Sequence, residues 1–249
     1  MQRQTTSWVP GRGAPTFSVA GIPIRIHPSW FVVFLLVTWS LATGVFPVEY
    51  PAFSPARQWV LGAIASVSLF ACVLLHELGH SLVARANGIP VNSVTLFLFG
   101  GVAQIGGDAK KPSVEFQVAV AGPVVSALIA SICFLAVREW RVHDLDGLAV
   151  LAILRYLSVI NVAIILFNLL PGFPLDGGRV VRAGLWAWTG SRAKATRITS
   201  LMGLGLAVGL LGFGVWTCFK GTLIGGAWYV MLGLFLRDAA RTGYRQADR

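Results

Sequence analysis

The chain has 249 residues, of which 55% are hydrophobic and only 12% charged, roughly half the charged share of an ordinary soluble domain. That composition excludes a water-soluble globular domain and fits a membrane protein. A formal net charge of +10 would suit nucleic acid if it were gathered on one face, but the basic residues fall between apolar runs, so no nucleic-acid partner is expected.

Residues Met1 to Pro28 lack a long apolar core, so a cleavable signal peptide is not expected and the first apolar segment is kept. Six runs reach or approach the roughly 20 residues a helix needs to cross about 30 Å of hydrocarbon: residues 29–47, 57–84, 114–137, 147–170, 196–219 and 222–236. Cys72, Cys133 and Cys218 all fall inside such runs and read as small buried hydrophobes, not as a disulfide framework. Between the second and third runs, Val91 to Ile105 is rich in β-branched and aromatic residues and carries Gly100-Gly101, which predicts strand, turn, strand. Between the fourth and fifth, Asp176 to Thr189 places Arg179 and Arg182 on one helical face and carries Trp186 and Trp188, which predicts a short interfacial helix. The expected fold is an all-α polytopic membrane protein of about six transmembrane helices with a small β-hairpin or sheet element, built as one membrane-embedded domain over residues 1–249.

Orientation follows from Lys and Arg. With a cytoplasmic N-terminus and six crossings, only Arg57, Arg138, Arg141 and Lys220 lie outside, and Arg155 falls within the fourth span. The remaining fifteen of the 20 basic residues, from Arg3 and Arg12 through Lys110 and Arg192 to Arg249, lie inside. The positive-inside bias therefore predicts that both termini are cytoplasmic, with the basic surplus facing anionic lipid. A prokaryotic plasma membrane is the expected location.

The chemistry begins in the second span with His76-Glu77-Leu78-Gly79-His80, an HExxH motif. Residues four apart share a helical face, so both imidazoles can reach one Zn²⁺ while Glu77 stands beside the metal's open position. Ionisable groups at membrane depth each cost several kcal/mol unless paired or ligated, so three together mark a functional site. If Arg85 lies at the interface, His80 and His76 sit about 7 and 13 Å inside it, and water needs a route from the cytoplasm. Cys72, one turn before His76, is not expected to be a ligand. His27 belongs at the headgroup level, and His143 lies on the side opposite the site.

A catalytic zinc site usually has three protein ligands and a water. Of the six Asp, Asp108 lies in a polar inside loop, Asp144 and Asp146 lie outside, and Asp238 and Asp248 lie in the tail. Asp176 remains, after a helix break at Pro171 and Pro174 on the same side as the end of the second span.

HELGH at 76–80 followed by NLLPGFPLDGG at 168–178 resembles, in order and spacing, the paired signature of the site-2 protease family of intramembrane zinc metalloproteases. FGG at 99–101, AGP at 121–123 and RIHPSW before the first span extend the resemblance over nearly the whole chain. It implies one zinc per chain held by His76, His80 and Asp176, with Glu77 as catalytic base. It implies Asn168 as a contact to the substrate or transition state, and membrane-anchored, often regulatory, proteins as substrates. Some relatives carry an inserted PDZ domain or C-terminal CBS domains. Here no inter-span segment exceeds about 30 residues and some dozen follow the last span, so the expected likeness is to a short form. Residues Val94 to Phe99 could offer an edge strand to an extended substrate, or the hairpin could be purely structural. A zinc transporter or metal sensor would use the same three ligands but leave Glu77 without a role. The substrate and the oligomeric state are not legible.

Overall fold

The computed structural model describes residues 17–247; Arg3, Arg12 and Arg249, which entered the orientation argument, and Asp248 lie outside them. Among the described residues, six helical stretches are long and apolar enough to cross a membrane, at Ser29–Glu49, Pro55–Ala86, Pro112–Glu139, Leu145–Asn168, Arg192–Phe219 and Leu223–Arg245, one for each expected run.

Two short strands precede the first span, β1 (Phe17–Val19) and β2 (Ile22–Ile26). They form a hairpin whose connecting residues Ala20 and Gly21 both have positive φ, 51° and 72°, as a tight two-residue hairpin of the primed type requires. Helix α1 (Ser29–Ser40) passes through a π-helical turn (Leu41–Val45) into α2 (Phe46–Glu49). The long α3 (Pro55–Ala86) starts with Ser54 as its N-cap and Pro55 in its first turn, the preferred residues for both places. Then come β3 (Val91–Phe97) and β4 (Gly100–Ile105), α4 (Pro112–Glu139) and α5 (Leu145–Asn168), the latter capped by Asp144 accepting from the Gly147 N–H at 2.7 Å. Helix α6 (Asp176–Thr189) ends in left-handed Gly190, and α7 (Arg192–Phe219) and α8 (Leu223–Ala247) form a closing hairpin.

The expected hairpin is half of a four-stranded sheet ordered β1-β2-β3-β4. β2 pairs in parallel with β3, Ile24 opposite Val94, and β3 pairs antiparallel with β4. Two expectations change with it. Val94 to Phe97 lies between two partners and is not an edge; the free edge on this side is β4. The turn is made by Leu98 and Phe99, and Gly100-Gly101 opens β4 instead. Ile22, Ile24 and Val94 pack on Leu78 of α3, so the residue beside Glu77 in the motif anchors the sheet against the second span. Arg85 donates to the Ala20 carbonyl at 2.6 Å, fastening the first hairpin to the end of α3. At the other end of the bundle, Phe46, Tyr50, Phe53, Leu61 and Ala152 form a separate apolar cluster.

Three further features refine the expectations. α8 continues helically to Ala247, so the basic residues Arg237, Arg241 and Arg245 ride on the last helix and not on a tail. Arg155, within α5, faces Glu49 at 3.8 Å, a partial answer to the cost of a charge in a span. Helix α6 is present over the expected residues, but Arg182 is buried at 8% exposure while Trp188 is 84% exposed. Its inner face therefore carries charge because that charge is paired, as described below.

Candidate metal centre

His76 and His80 are both buried on one face of α3. Their Nε2 atoms lie 3.2 Å apart, and the Oδ2 atom of Asp176 lies 3.2 Å from the first and 3.1 Å from the second. Asp176 arrives from the first turn of α6, where the positive end of a helix favours a carboxylate. The chain reaches it through Pro171 to Leu175, and the Phe173 N–H donates to the Thr199 carbonyl of α7 at 3.0 Å. A Cβ at Gly177 or Gly178 would strike the backbone of Leu169 or Gly172, so the two glycines let α6 start flush against this break.

Helix α4 orients the imidazoles. His80 Nδ1 lies 2.6 Å from the Val118 carbonyl oxygen, a position only an N–H can occupy, which leaves Nε2 as a bare lone pair in the neutral ring. His76 Nδ1 pairs with Ser126 Oγ at 2.9 Å, the same service from a hydroxyl. Two imidazole lone pairs and a carboxylate oxygen then converge in a buried place. A proton relieves only one of the pairings, whereas a central cation satisfies all three. Tetrahedral coordination at 2.0–2.1 Å separates neighbouring ligand atoms by about 3.3 Å, close to the spacings found. Nitrogen, nitrogen and carboxylate oxygen form the donor set of a catalytic zinc site, and outer partners on each ring are the usual accompaniment. The residues fit zinc. His76, His80 and Asp176 are the one such cluster among the described residues.

Glu77 projects from the same turn of α3 toward the sheet, and its Oε2 accepts from the Ala103 N–H of β4 at 3.2 Å. A side chain at Gly101 would collide with the Glu77 Cγ, which explains a glycine there. Since Ala103 pairs with Val94 yet sends its N–H to Glu77, the residues that alternate with it, Gly101 and Ile105, also direct their backbone groups to the free edge. Asn168, the last residue of α5, lines the same cavity of about 1830 Å³ as His76, Glu77, His80 and Asp176. That cavity runs along Ile160 to Phe167 of α5, Gly205 to Leu210 of α7 and Trp228 to Leu236 of α8. Asp108, Arg179, Arg182 and Arg192 line it as well.

The structure thus brings His76, His80 and Asp176 together with Glu77 on the same turn as the histidines, while Asn168 lines the cavity they share. Cys72 is buried one turn away and outside the cluster. His27 holds the start of α1: its Nδ1 accepts from the Ser29 N–H at 3.2 Å, and Ser29 Oγ in turn accepts from the Leu98 N–H at 3.1 Å, which gives RIHPSW a local task. Val118, Gly122 and Ser126 were not expected at the site. The AGP motif at 121–123 held the only signal: a Cβ on Gly122 would meet both Nε2 atoms, so glycine is what lets α4 touch the two rings.

The chain matches Peptidase family M50 over residues 64–143 and 143–211. It is 41% identical over 228 residues to Rip3 of Mycobacterium tuberculosis, a protein named as a zinc metalloprotease, covering 91% of this chain and 57% of that one. With sll0528 of Synechocystis, named likewise, it shares 40% identity over 234 residues, 93% of this chain and 59% of the relative. The chain therefore spans rather more than half the length of these curated relatives. The solved structure of the site-2 protease from Methanocaldococcus jannaschii superposes with a TM-score of 0.61 at 28% identity, covering 92% of this chain and 94% of that one. Agreement in sequence over more than half the chain, and in fold over nearly all of it, leads to one assignment: this integral, multi-pass membrane protein belongs to peptidase family M50.

Proposed function

We propose that the chain is an intramembrane zinc endopeptidase that hydrolyses a peptide bond in the transmembrane segment of a membrane-anchored, regulatory protein, with one zinc per chain held by His76, His80 and Asp176. The convergence of three buried donor atoms at 3.1–3.2 Å is the observation that carries this reading. Zinc, when bound, supplies a Lewis acid that makes a water acidic near neutral pH and polarises the scissile carbonyl. Glu77 takes the proton from that water and returns it to the leaving amine. Asn168, a neutral donor in the cavity wall, holds the scissile peptide or the oxygen on which charge develops.

A peptide bond in an intact helix is shielded by its own hydrogen bonds, so the substrate must be drawn out before attack. The free edge of β4, through Gly101, Ile105 and the carbonyl of Ala103, whose N–H is already held by Glu77, offers backbone partners to an extended segment; this role passes to β4 from Val94–Phe99. A metal transporter would need the three ligands but neither Glu77 nor an open strand edge beside them.

Cytoplasmic termini are supported by the basic residues at the end of the bundle that carries the site, among them Arg85, Lys110, Lys111 and Lys194, against Arg57, Arg138, Arg141 and Lys220 at the other. We place the protein in a prokaryotic plasma membrane. The test of function is cleavage of single-span candidate proteins in liposomes by the wild type and by Glu77→Gln. The variant is expected to keep its zinc and lose cleavage. Undiminished cleavage by Glu77→Gln removes Glu77 as the base, and zinc flux without cleavage would favour the transporter.

A further inference from the structure

His76 and His80 belong to one helix, and their spacing is set by that helix. Asp176 comes from another element, beyond the break at Pro171 to Leu175. Its oxygen must nevertheless meet the two nitrogens within the few tenths of an ångström that coordination tolerates. Something directional has to set α6 against the rest of the site.

Helix α4 carries a stripe that touches every part of the centre. Val118 and Ser126 hold the imidazoles, and Gly122 lies against both Nε2 atoms. Glu115, three residues before Val118 and on the same face, is 1% exposed. Its Oε1 accepts from Arg182 Nε at 2.5 Å and again from Arg182 Nη2. Arg182 lies on α6, six residues after Asp176. Its guanidinium also sits over the ring of Phe173, 5.4 Å from the centroid, and Phe173 belongs to the break that delivers Asp176. One arginine therefore joins α4, α6 and the connecting segment.

Adhesion does not account for this pair. Withdrawing two charges from water is costly, and well-packed apolar residues of similar volume commonly hold elements together as firmly. The other Glu115 oxygen, Oε2, is buried without a hydrogen-bond partner, so the carboxylate is not even fully satisfied. What a guanidinium gripping one oxygen through two N–H groups adds is direction.

We propose that Glu115 and Arg182 are positioning residues for the metal centre: the ion pair sets the register of α6 on α4 so that Asp176 meets the two histidines already seated by the same face of α4. The proposal rests on the reading of His76, His80 and Asp176 as the zinc ligands. It assigns no contact with substrate to either residue.

The test is metal affinity and ligand geometry in purified, metal-stripped protein in detergent, by zinc competition titration and by the visible absorption of the cobalt-loaded form. Arg182→Lys keeps the charge and loses the fork. It is expected to bind zinc about 10- to 100-fold more weakly and to shift the cobalt bands. Glu115→Gln strands a buried guanidinium and can unfold the protein, so the decisive variant is Glu115→Met combined with Arg182→Met. That protein removes both charges, and at wild-type helicity and melting temperature it should show the same loss of affinity and the same spectral shift. If the double-methionine protein keeps wild-type zinc affinity and cobalt spectrum, the pair only packs and the proposal is overturned; wild-type values in Arg182→Lys overturn it equally. Asp176→Asn, run beside them, separates the two levels. Loss of zinc there with none in the pair variants defeats the positioning role alone, whereas unaltered zinc binding by Asp176→Asn defeats the ligand assignment beneath it.

Discussion

Replacing Gly122 with alanine puts one methyl group against the two rings that matter most. Built on the present backbone, the new Cβ would lie 2.6 Å from His76 Nε2 and 2.7 Å from His80 Cε1, where ordinary contact begins near 3.4 Å. The His80 Nε2 atom would be nearer still, so at least about 0.8 Å must be found by moving the rings or α4, more than four times the ±0.2 Å that metal–ligand distances tolerate. Overpacking of this kind costs about 1–3 kcal/mol of stability. The effect on metal should be larger than that cost suggests, because any escape spoils either the ring positions or their hydrogen bonds with the Val118 carbonyl and the Ser126 hydroxyl. We expect zinc affinity to fall by at least about 10- to 100-fold, the scale for losing an orienting partner, with cleavage falling in proportion to zinc content. Gly79→Ala is the matched control. Its Cβ would press on Val125 and the Ala121 carbonyl at 2.9 and 3.0 Å, straining the same helix pair without touching an imidazole. The assay is zinc competition titration and thermal melting of both metal-free proteins in the same detergent. A Gly122→Ala protein that binds zinc within twofold of wild type, or a Gly79→Ala protein that loses as much zinc at equal stability, would refute the argument from ring contact.

Ser126→Ala should leave the fold intact and weaken zinc binding by about 10-fold, because His76 loses the partner that fixes its ring; metal titration at constant pH checks it. Cysteines placed at Arg141 and Lys194, in a protein freed of Cys72, Cys133 and Cys218, should label from opposite faces of the membrane, with Lys194 cytoplasmic; labelling of both from one face would undo the six-span orientation. Arg192 donates to Asp108 at 2.6 Å, and that hydrogen bond holds the Asp108 carboxyl below its usual range. A depressed carboxylate stabilises the fold above its unfolded value of about 3.9 and loses that contribution as pH falls through the folded value. Asp108→Asn should therefore lower the melting temperature slightly at pH 7, for a loss below about 1 kcal/mol at this exposed pair, and the difference from wild type should close toward pH 3.

The spacing of the second span placed His76, Glu77 and His80 on neighbouring positions of one turn, because in a helix four residues apart means one face whatever surrounds it. The six spans were equally local, since each needs only its own length and apolarity. Asp176 was reachable as well, by its depth after the helix break at Pro171 and Pro174. The short strands β1 and β2 left no such trace: Phe17–Val19 and Ile22–Ile26 are too brief for alternation to speak. Once β2 takes the far side of β3, the open edge beside Glu77, among the described residues, is β4. Nor could sequence place Val118, Gly122 and Ser126 against the rings, or join Glu115 to Arg182 across 67 positions, because those contacts depend on how one helix is rotated and shifted against another. That register is decided where α4 meets α3 on one side and α6 on the other, a property of the assembled bundle that no single segment carries.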